Sequence, residues 1–255
     1  MGMELDLNCD MGESYGAWTM GHDAAILDYV TSANIACGFH AGDPSTMRET
    51  VALASARGVA IGAHPSLPDL PGFGRRAMAV TPREVYDLVV YQIGAIAAFA
   101  KAAGTRVSHY KAHGALSNMA AKDPALAEAI TQAARDVDST LVSYAIAESE
   151  LARAAERLGV PCASEVFADR SYQDDAMLTP RAQPGAMIED IEASIAQVKG
   201  MVLRSEVTAV SGRRVRVRAD TLCVHGDQPG ALAFVRRIRA ELEREGIAIR
   251  APGRR

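Results

Sequence analysis

Short apolar segments alternate with longer segments of helical periodicity along almost the whole chain. Segments in which apolar residues alternate with small or polar ones predict strands at 4–9, 32–40, 59–64, 106–111, 140–146, 162–167 and 220–225. Segments with apolar residues three and four positions apart predict helices at 23–30, 45–57, 82–103, 124–136, 149–158, 187–203 and 230–245. This alternation requires parallel strands joined by right-handed crossovers, which leaves a closed barrel or an open doubly wound sheet.

The two faces of the predicted strands differ, and the difference favours the barrel. In the first strand, Leu5 and Leu7 share one face, whereas Asp6, Asn8 and Asp10 share the other. The same division recurs in the later strands. An open sheet covered by helices on both sides would be aliphatic on both faces. One aliphatic face and one small or polar face instead predict a TIM-like parallel (β/α) barrel of seven main strands with a polar interior.

Two further features complete the predicted architecture. Residues 206–218 contain two alternating runs around Ser211 and Gly212, which predicts a β-hairpin inserted before the last strand. The chain has no linker rich in Pro, Gly or Ser, so we expect a single domain over residues 1–255.

Histidines and aspartates recur at equivalent positions, at or just beyond the carboxyl ends of the predicted strands. In a parallel barrel these strand ends meet at one mouth, where the functional sites of such barrels lie. Buried carboxylates and imidazoles are costly unless they are paired or used, so this recurrence predicts one shared functional site. The six residues are Asp10, His40, His64, His113, Asp169 and His225.

Composition and charge exclude several classes of protein. The chain of 255 residues is 49% hydrophobic and 23% charged, which is typical of a compact globular protein and excludes intrinsic disorder. Its net charge of -4 offers no reason to expect binding to nucleic acid or to a membrane surface. Because the four cysteines lie far apart in apolar segments, we expect reduced core residues.

The sequence also predicts a cytoplasmic protein. The first residues, Met-Gly-Met-Glu-Leu-Asp, lack the basic and apolar regions of a secretory signal. The longest apolar run, from Leu88 to Ala100, is interrupted by Gln92 and falls short of the roughly 20 residues of a membrane span. We therefore expect no helix that crosses a bilayer.

The segments at the strand ends, in their order along the chain, resemble one known family. They are DLNCDMGE at 6–13, NIACGFHAGDP at 34–44, HPS at 64–66, GFGRR at 72–76, KAHGAL at 111–116, EVFADR at 165–170 and VHGD at 224–227. Together they resemble the LamB/YcsF family from about residue 4 to residue 250. The resemblance implies the A subunit of a bacterial 5-oxoprolinase, which opens the lactam of 5-oxo-L-proline to L-glutamate with ATP as cosubstrate, in a complex with subunits B and C. It also implies a barrel related to that of polysaccharide deacetylases.

The residues at the predicted mouth suit this reaction. Opening a lactam requires activation of the carbonyl oxygen, a positioned water and a proton for the departing nitrogen. The residues expected to carry these steps are Asp10 or Glu13 as the base for water, Lys111 and His113 for the oxygen, and Asp169 or His225 as the acid for nitrogen.

Further residues predict contacts with the substrate. Arg170 suits the substrate carboxylate, and Asp6 and Asn8, deeper in the barrel, are expected to orient the groups above them. The predicted substrate-binding residues are Asn8, His40, His64, Arg75, Glu165, Arg170 and Asp227. The chain has no Walker loop, so an ATP-binding site of the Walker type is not expected, and the G-F-G-R-R-A segment at 72–77 does not lead directly from a strand into a helix as a dinucleotide site requires.

Two other functions remain open from the residues. In the first, the protein is a metal-dependent amidohydrolase or deacetylase, in which Asp10, His40, His64 and His225 bind a divalent metal ion. In the second, the chain has no catalytic role and binds the substrate while its partners carry out the chemistry.

Overall fold

The computed structural model describes residues 2–224 and 230–253. Its strands are β1 Glu4–Met11, β2 Ser32–Ala36, β3 Ala60–His64, β4 Val107–Tyr110, β5 Val142–Ile146, β6 Cys162–Phe167, β7 Glu206–Thr208, β8 Arg214–Arg216, β9 Thr221–Val224 and β10 Ala248–Ile249. Its helices are α1 Asp23–Ile26, α2 Pro44–Ala56, α3 Pro82–Ala102, α4 Gly114–Ala120, α5 Pro124–Val137, α6 Glu150–Leu158, α7 Ile191–Arg204 and α8 Ala231–Arg244. A 3-10 turn spans Leu70–Gly72.

Within these described ranges, seven parallel strands close into a barrel in the order β1-β2-β3-β4-β5-β6-β9. Strand β9 pairs back onto β1, with Asp6 opposite Thr221 and Asn8 opposite Cys223. The short strand β10 extends the start of β1. Strands β7 and β8 form a separate antiparallel hairpin. The predicted seven-stranded barrel and its inserted hairpin are therefore confirmed.

Side-chain caps set the points at which several helices begin. Asp43 caps α2 and Asp123 caps α5, and in both helices a proline occupies the first turn. Thr81 caps α3 in a capping box with Glu84. Each cap of this kind typically contributes about 1 kcal/mol, and together they define where the chain turns back from the mouth of the barrel.

The outer face of the barrel is an apolar layer packed under the helices. Leu7 on β1, Ile61 on β3, and Val89 and Ile93 on α3 belong to one continuous core and are at most 1% exposed. Because successive side chains of a strand point to opposite faces, this packing turns the polar set of β1 inward. The prediction that the barrel has a polar interior is thus confirmed.

The floor of the barrel is closed by a network of hydrogen bonds around Asp6. Its carboxylate accepts from the hydroxyls of Thr31 at 2.6 Å, Ser32 at 2.8 Å and Thr221 at 2.6 Å. The hydroxyl of Tyr144 lies 3.0 Å from that of Ser32. Burial raises the pKa of Asp6, and these hydroxyls partly offset that rise. Asp6 therefore lies deep in the barrel, as predicted.

The second strand is shorter than predicted, because β2 ends at Ala36 and not at His40. Gly38 has a left-handed φ of 89°, and its N–H bonds to Ala41 O in a turn. Gly42 is also left-handed, and a Cβ there would lie 2.7 Å from Gly12 O. His40 is therefore on a loop beyond the strand, although still at the mouth of the barrel.

Other differences from the prediction are confined to short elements. Helix α7 begins at Ile191, four residues later than predicted, because Met187 forms a bridge with Arg170. Helix α1 is a single turn. Helix α4 and strand β10 were not predicted, because neither is long enough to show a hydrophobic period.

Helix α3 is long and apolar enough, by length and composition alone, to span a membrane. By length and composition alone, the interruption at Gln92 therefore does not exclude α3 as a membrane-spanning helix, contrary to the expectation from the sequence. Its apolar face lies in the core, however, and Gln92 is buried, where its side chain bonds both Ser66 N and Ser66 O. These contacts are those of a core helix that anchors the loop after β3. The four cysteines are free thiols, and Cys162 alone among them is only partly buried.

Candidate active site at the mouth of the barrel

A cavity of about 510 Å³ opens at the carboxyl ends of the barrel strands. Its size lies in the range of roughly 300–1,000 Å³ that is typical of small-molecule sites. Phe167, Met177 and Ile146 supply part of an apolar wall. The predicted site residues that line it are Asp10, Glu13, His64, Arg75, Lys111, His113, Glu165 and Arg170.

Lys111 is the central cation at the base of the cavity. Its Nζ lies 2.9 Å from Asp10 Oδ1, 2.8 Å from Glu165 Oε1 and 3.2 Å from Asn8 Oδ1. It also lies 3.1 Å from the thiol of Cys223, a contact that sequence analysis did not anticipate. Burial opposes the charge on Lys111, but the neighbouring acidic groups outweigh it and hold the pKa of the ammonium well above its usual range. Lys111 is therefore protonated.

Two carboxylates face this ammonium in different surroundings. Glu165 is 2% exposed, and burial raises its pKa, although the charge of Lys111 partly offsets that rise. Asp10 is more open to the cavity, with a 13% exposed side chain. Asn34 donates a hydrogen bond to Asp10 Oδ1 at 2.9 Å and another to Asn8 Oδ1 at 2.7 Å. The carboxylate of Asp10 is thus held in place from below and reaches the cavity.

Three of the predicted histidines pack together beside Asp10. The rings of His40 and His113 are stacked with centroids 3.8 Å apart, and His64 lies edge-on to both. His64 Nδ1 donates to Lys111 O at 2.7 Å, and His113 Nε2 donates to Phe73 O at 2.9 Å. Burial, followed by repulsion from His64, lowers the pKa of His113 to about 3, so this ring is neutral at physiological pH.

The loop that follows β3 covers these rings. Phe73 and Gly74 both have left-handed backbones, with φ of 53° and 64°. A Cβ on Gly74 would lie 2.7 Å from His40 Cβ and 2.8 Å from His113 Cδ2, so only glycine allows the loop to approach so closely. Arg76 and Asp69 form an ion pair that ties the two ends of the loop. The G-F-G segment therefore positions a carbonyl and a ring over the histidines.

The histidines and one carboxylate together form a group able to hold a metal ion. One donor atom from each of Glu13, His40, His64 and His113 lies within 4.8 Å of the others. Of the predicted metal ligands, His40 and His64 belong to this group, and Asp10 Oδ2 lies 3.3 Å from His64 Nε2. Glu13 and His113 were expected to act on the substrate, so the donor set differs from the predicted one.

The rim of the cavity carries positive charge. Arg170 donates to Thr179 O and to Ala186 O, and burial lowers its pKa to about 10. Arg75 lies over the ring of Phe73, 4.8 Å from its centroid. Arg181 also lines the cavity, together with Lys122, and neither was singled out from the sequence because both lie outside the strand-end motifs.

The remaining predicted residues lie below, beside or outside the described site. Asn8 is fully buried beneath the cavity, where its amide donates to Thr221 Oγ1 at 2.7 Å. Asp169 is buried just after β6 and is not part of the cavity lining. His225 and Asp227 lie outside the residues that the structure describes.

Comparisons with known proteins agree with this geometry. The model of the LamB/YcsF family matches residues 5–254. The A subunit of 5-oxoprolinase from Bordetella pertussis is 66% identical over 251 residues, which cover 98% of this chain and 100% of that protein. The crystal structure of a lactam utilization protein from Thermus thermophilus superposes with a TM-score of 0.92 at 46% identity and covers 98% of this chain and 100% of that one.

A more distant likeness concerns the fold alone. A polysaccharide deacetylase from Bacillus cereus superposes with a TM-score of 0.50 at 13% identity, over 98% of this chain and 92% of that one. The predicted relation to the deacetylase-type barrel is therefore confirmed at the level of fold. The family match spans nearly the whole chain and includes each strand-end motif from which the cavity is built. The chain belongs to the LamB/YcsF family.

Proposed function

We propose that this chain is the A subunit of an ATP-dependent 5-oxoprolinase, which opens the lactam of 5-oxo-L-proline to L-glutamate. The observation that carries the proposal is the cavity in which Lys111 and Asp10 lie 2.9 Å apart at the mouth of the barrel. The 66% identity to a protein named as the A subunit of 5-oxoprolinase supports it over nearly the full length. The predicted partners are subunits B and C, and the predicted location is the cytoplasm.

The charge distribution of the cavity suits a small anionic lactam. The ammonium of Lys111 lies at the base of the cavity, and the guanidinium groups of Arg75, Arg170 and Arg181 lie among the lining residues. A carboxylate bound by Arg170 would leave the ring against the apolar wall that contains Phe167. The same cations suit a phosphoryl group on the lactam oxygen.

Asp10 is the group best suited to act as the base for water. Its carboxylate pairs with the ammonium of Lys111, is anchored by Asn34, and is open to the cavity. Lys111 is the cation best suited to the charge that develops on the lactam oxygen, because it is protonated and held by carboxylates on fixed strands. The proton donor for nitrogen stays a proposal between Asp169 and His225.

The hydrogen bond from His113 to Phe73 O limits the proposed role of His113. Its single N–H in the neutral ring donates to Phe73 O, so donation to a substrate oxygen would require a second proton on the ring. Lys111 therefore carries most of the oxygen stabilisation in this proposal, and Glu165 holds the ammonium in place.

The ATP step is assigned to the assembled complex. The chain contains no Walker loop, and hydrolysis of ATP is proposed to supply the phosphoryl group that activates the lactam oxygen. In this proposal the chain alone binds the lactam but turns it over very slowly.

A reconstituted complex tests the proposal. The chain is mixed with subunits B and C, ATP and 5-oxoproline, and the release of glutamate and of phosphate is measured together. The proposal predicts stoichiometric release of both products in the complex and almost none from the chain alone. Glutamate release by the chain without its partners or without ATP would contradict it, and would favour the metal-dependent amidohydrolase.

A chain that only binds the substrate is distinguished from a catalytic subunit by the kcat of site variants at saturating substrate. If the chain only binds the substrate, the Lys111→Met complex binds 5-oxoproline more weakly but keeps its kcat at saturation. The present proposal predicts loss of kcat.

A further inference from the structure

Among the described residues, two histidines line the cavity, and each makes a hydrogen bond to a backbone carbonyl. His64 donates through Nδ1 to Lys111 O, and His113 donates through Nε2 to Phe73 O. A carbonyl oxygen only accepts, so each ring carries an N–H on this outer nitrogen, and the form of each ring that can bind a metal ion has its lone pair on the inner nitrogen. In that form, the inner nitrogens, His64 Nε2 and His113 Nδ1, both present lone pairs.

These two lone pairs face each other in a buried space. His64 Nε2 and His113 Nδ1 are 3.0 Å apart, and both side chains are at most 5% exposed. Asp10 Oδ2 lies 3.3 Å from the same nitrogen of His64. Two acceptors at this distance repel each other unless a cation lies between or beside them. Histidines that bind metal ions characteristically donate their other N–H to a carbonyl or carboxylate, which is the arrangement of both rings.

Glu13 and His40 complete the surroundings of this pair. Glu13 lines the same cavity, and its Oε1 lies 3.2 Å from His40 Nε2. His40 itself is fully buried and does not line the cavity. Its ring is stacked on that of His113, and its Nδ1 has no hydrogen-bond partner among the residues that the structure describes. Two stacked rings cannot both direct in-plane lone pairs at one ion. His40 is therefore placed to orient Glu13 and the ring of His113 and not to bind the ion itself.

We propose that His64 Nε2, His113 Nδ1 and the carboxylate of Glu13 bind one divalent transition-metal ion of the zinc type at the mouth of the barrel. Two imidazoles and one carboxylate with a fourth position open to the cavity are a recurrent donor set for such ions. Bonds of about 2.0–2.1 Å place tetrahedral donors about 3.3–3.4 Å apart. The donors of the whole group lie within 4.8 Å, so Glu13 closes on the ion by a side-chain movement.

This assignment is independent of the proposed lactam reaction. It shares only His64 with the ligand set expected from the sequence. Asp10, whose Oδ1 contacts Lys111 and Asn34, does not belong to the group of donors that lie within 4.8 Å of one another. When bound, such an ion polarises a carbonyl oxygen or activates a water at the open position. Metal binding is measured on the chain alone, whereas the lactam reaction is measured on the complex, so the two can fail separately.

The test uses the full-length chain without an affinity tag, because a histidine tag would itself bind metal. After dialysis against a chelator, the chain is titrated with Zn²⁺ and separately with Co²⁺, and bound metal is counted by elemental analysis. The proposal predicts one ion per chain, a rise in Tm with Zn²⁺, and the visible absorption of four- or five-coordinate Co²⁺. His22→Ala, which removes an exposed histidine outside the group, is the matched control and keeps all three signals.

Variants separate ligands from the orienting residue. Glu13→Gln and His64→Ala are each expected to abolish stoichiometric binding, whereas His40→Gln is expected to weaken it about 10- to 100-fold. Glu13→Gln preserves the side-chain shape. Circular dichroism checks that this variant is folded, so that loss of the Zn²⁺-dependent rise in Tm reports lost metal binding. Wild-type chain that binds no stoichiometric metal, or binding that Glu13→Gln and His64→Ala leave intact, would overturn the proposal. A single proton shared by His64 and His113, seen by NMR in chain that binds no metal, would also overturn the proposal, because that proton would join the two nitrogens in place of a metal ion.

Discussion

The floor of the barrel and its mouth are both built from buried polar side chains, and they differ in how those side chains are paired. At the floor, the carboxylate of Asp6 accepts three hydroxyl hydrogen bonds from neighbouring strands. At the mouth, Lys111 is shared between two carboxylates, and His64 Nε2 and His113 Nδ1 lie 3.0 Å apart. Polar groups that are fully hydrogen-bonded stabilise a fold, whereas buried charges and closely spaced ring nitrogens are typical of sites that bind or react.

The two regions are linked by two buried amides. Thr221 bonds to Asp6, Asn8 donates to Thr221, and Asn34 donates to both Asn8 and Asp10. The direct hydrogen bond to Asp10 is made by Asn34, and Asp6 reaches Asp10 only through the intervening side chains of Thr221, Asn8 and Asn34. This division predicts that variants of the floor change stability and that variants of the mouth change activity.

The largest effect is expected for Lys111→Met. Removal of the ammonium leaves Asp10 and Glu165 without their shared cation, which costs about 3–5 kcal/mol of stability near pH 7 and abolishes turnover. Because the charge of Lys111 lowers the pKa of Glu165, its removal raises that pKa further above the value in the unfolded chain. A raised folded-state pKa gives stability that is complete below the unfolded value, near 4.3, and is lost as pH rises.

Urea unfolding of Lys111→Met at a series of pH values tests this sign. The variant should be closest to the wild type in acid and fall away from it as pH rises. Arg83→Met, which breaks an exposed ion pair with Asp87 on α3, is the matched control and should change stability by less than about 0.5 kcal/mol at any pH. A deficit of Lys111→Met that shrinks as pH rises would contradict the account of the charge.

The next largest effect is expected for Asp6→Ala at the floor. The substitution leaves hydroxyls of Thr31, Ser32 and Thr221 without their shared acceptor and should cost about 2–3 kcal/mol of stability. Chemical denaturation measures that loss. Because Asp6 does not reach the cavity, kcat per folded molecule should stay within about twofold of the wild type. A large loss of kcat would break the division between floor and mouth.

A smaller effect is expected for Gly74→Ala in the loop that covers the histidines. The left-handed backbone and the close approach to His40 and His113 should cost about 1–2 kcal/mol. Thermal unfolding measures the loss, and kcat should fall because the rings shift. Gly94→Ala on α3, where nothing lies within 4 Å of the added Cβ, is the matched control and should be neutral or slightly stabilising. Equal effects of the two substitutions would argue against a close packing of the loop.

The smallest effect is expected for Arg75→Ala at the exposed rim. An exposed charge contributes roughly 0.5–1 kcal/mol, so KM for 5-oxoproline should rise about two- to fivefold with kcat unchanged. Steady-state kinetics of the complex, repeated at high salt, measure it. An effect confined to kcat would place Arg75 in the chemistry and not at the rim.

Much of the fold could be predicted from the sequence because it follows from alternation along short strands. The inward set of β1 and the capping residues Asp43, Thr81 and Asp123 are local signals of strand face and helix start. The predicted end of β2 was wrong because its limit depends on left-handed glycines that pack against another loop. The short helix α4 was missed because seven residues carry too little periodicity.

The candidate site could be predicted only as a set of residue types. Strand ends bring Asp10, His64 and Lys111 to one mouth, and that convergence follows from topology. The tautomers of His64 and His113 depend on two backbone carbonyls, one of them contributed by Phe73 on a different loop, and nothing in the sequence indicates those contacts. The distinction between ligands and orienting residues therefore required the structure.

The most direct test of the mouth as the reacting centre is the kcat of the reconstituted complex with Asp10→Asn, measured as glutamate formed at saturating ATP and 5-oxoproline. The substitution keeps the size of the side chain and removes the proposed base. If Asp10 is the base, kcat falls about 10²- to 10⁴-fold, while Asp6→Ala keeps near-normal turnover per folded molecule. Wild-type kcat in Asp10→Asn would contradict that role.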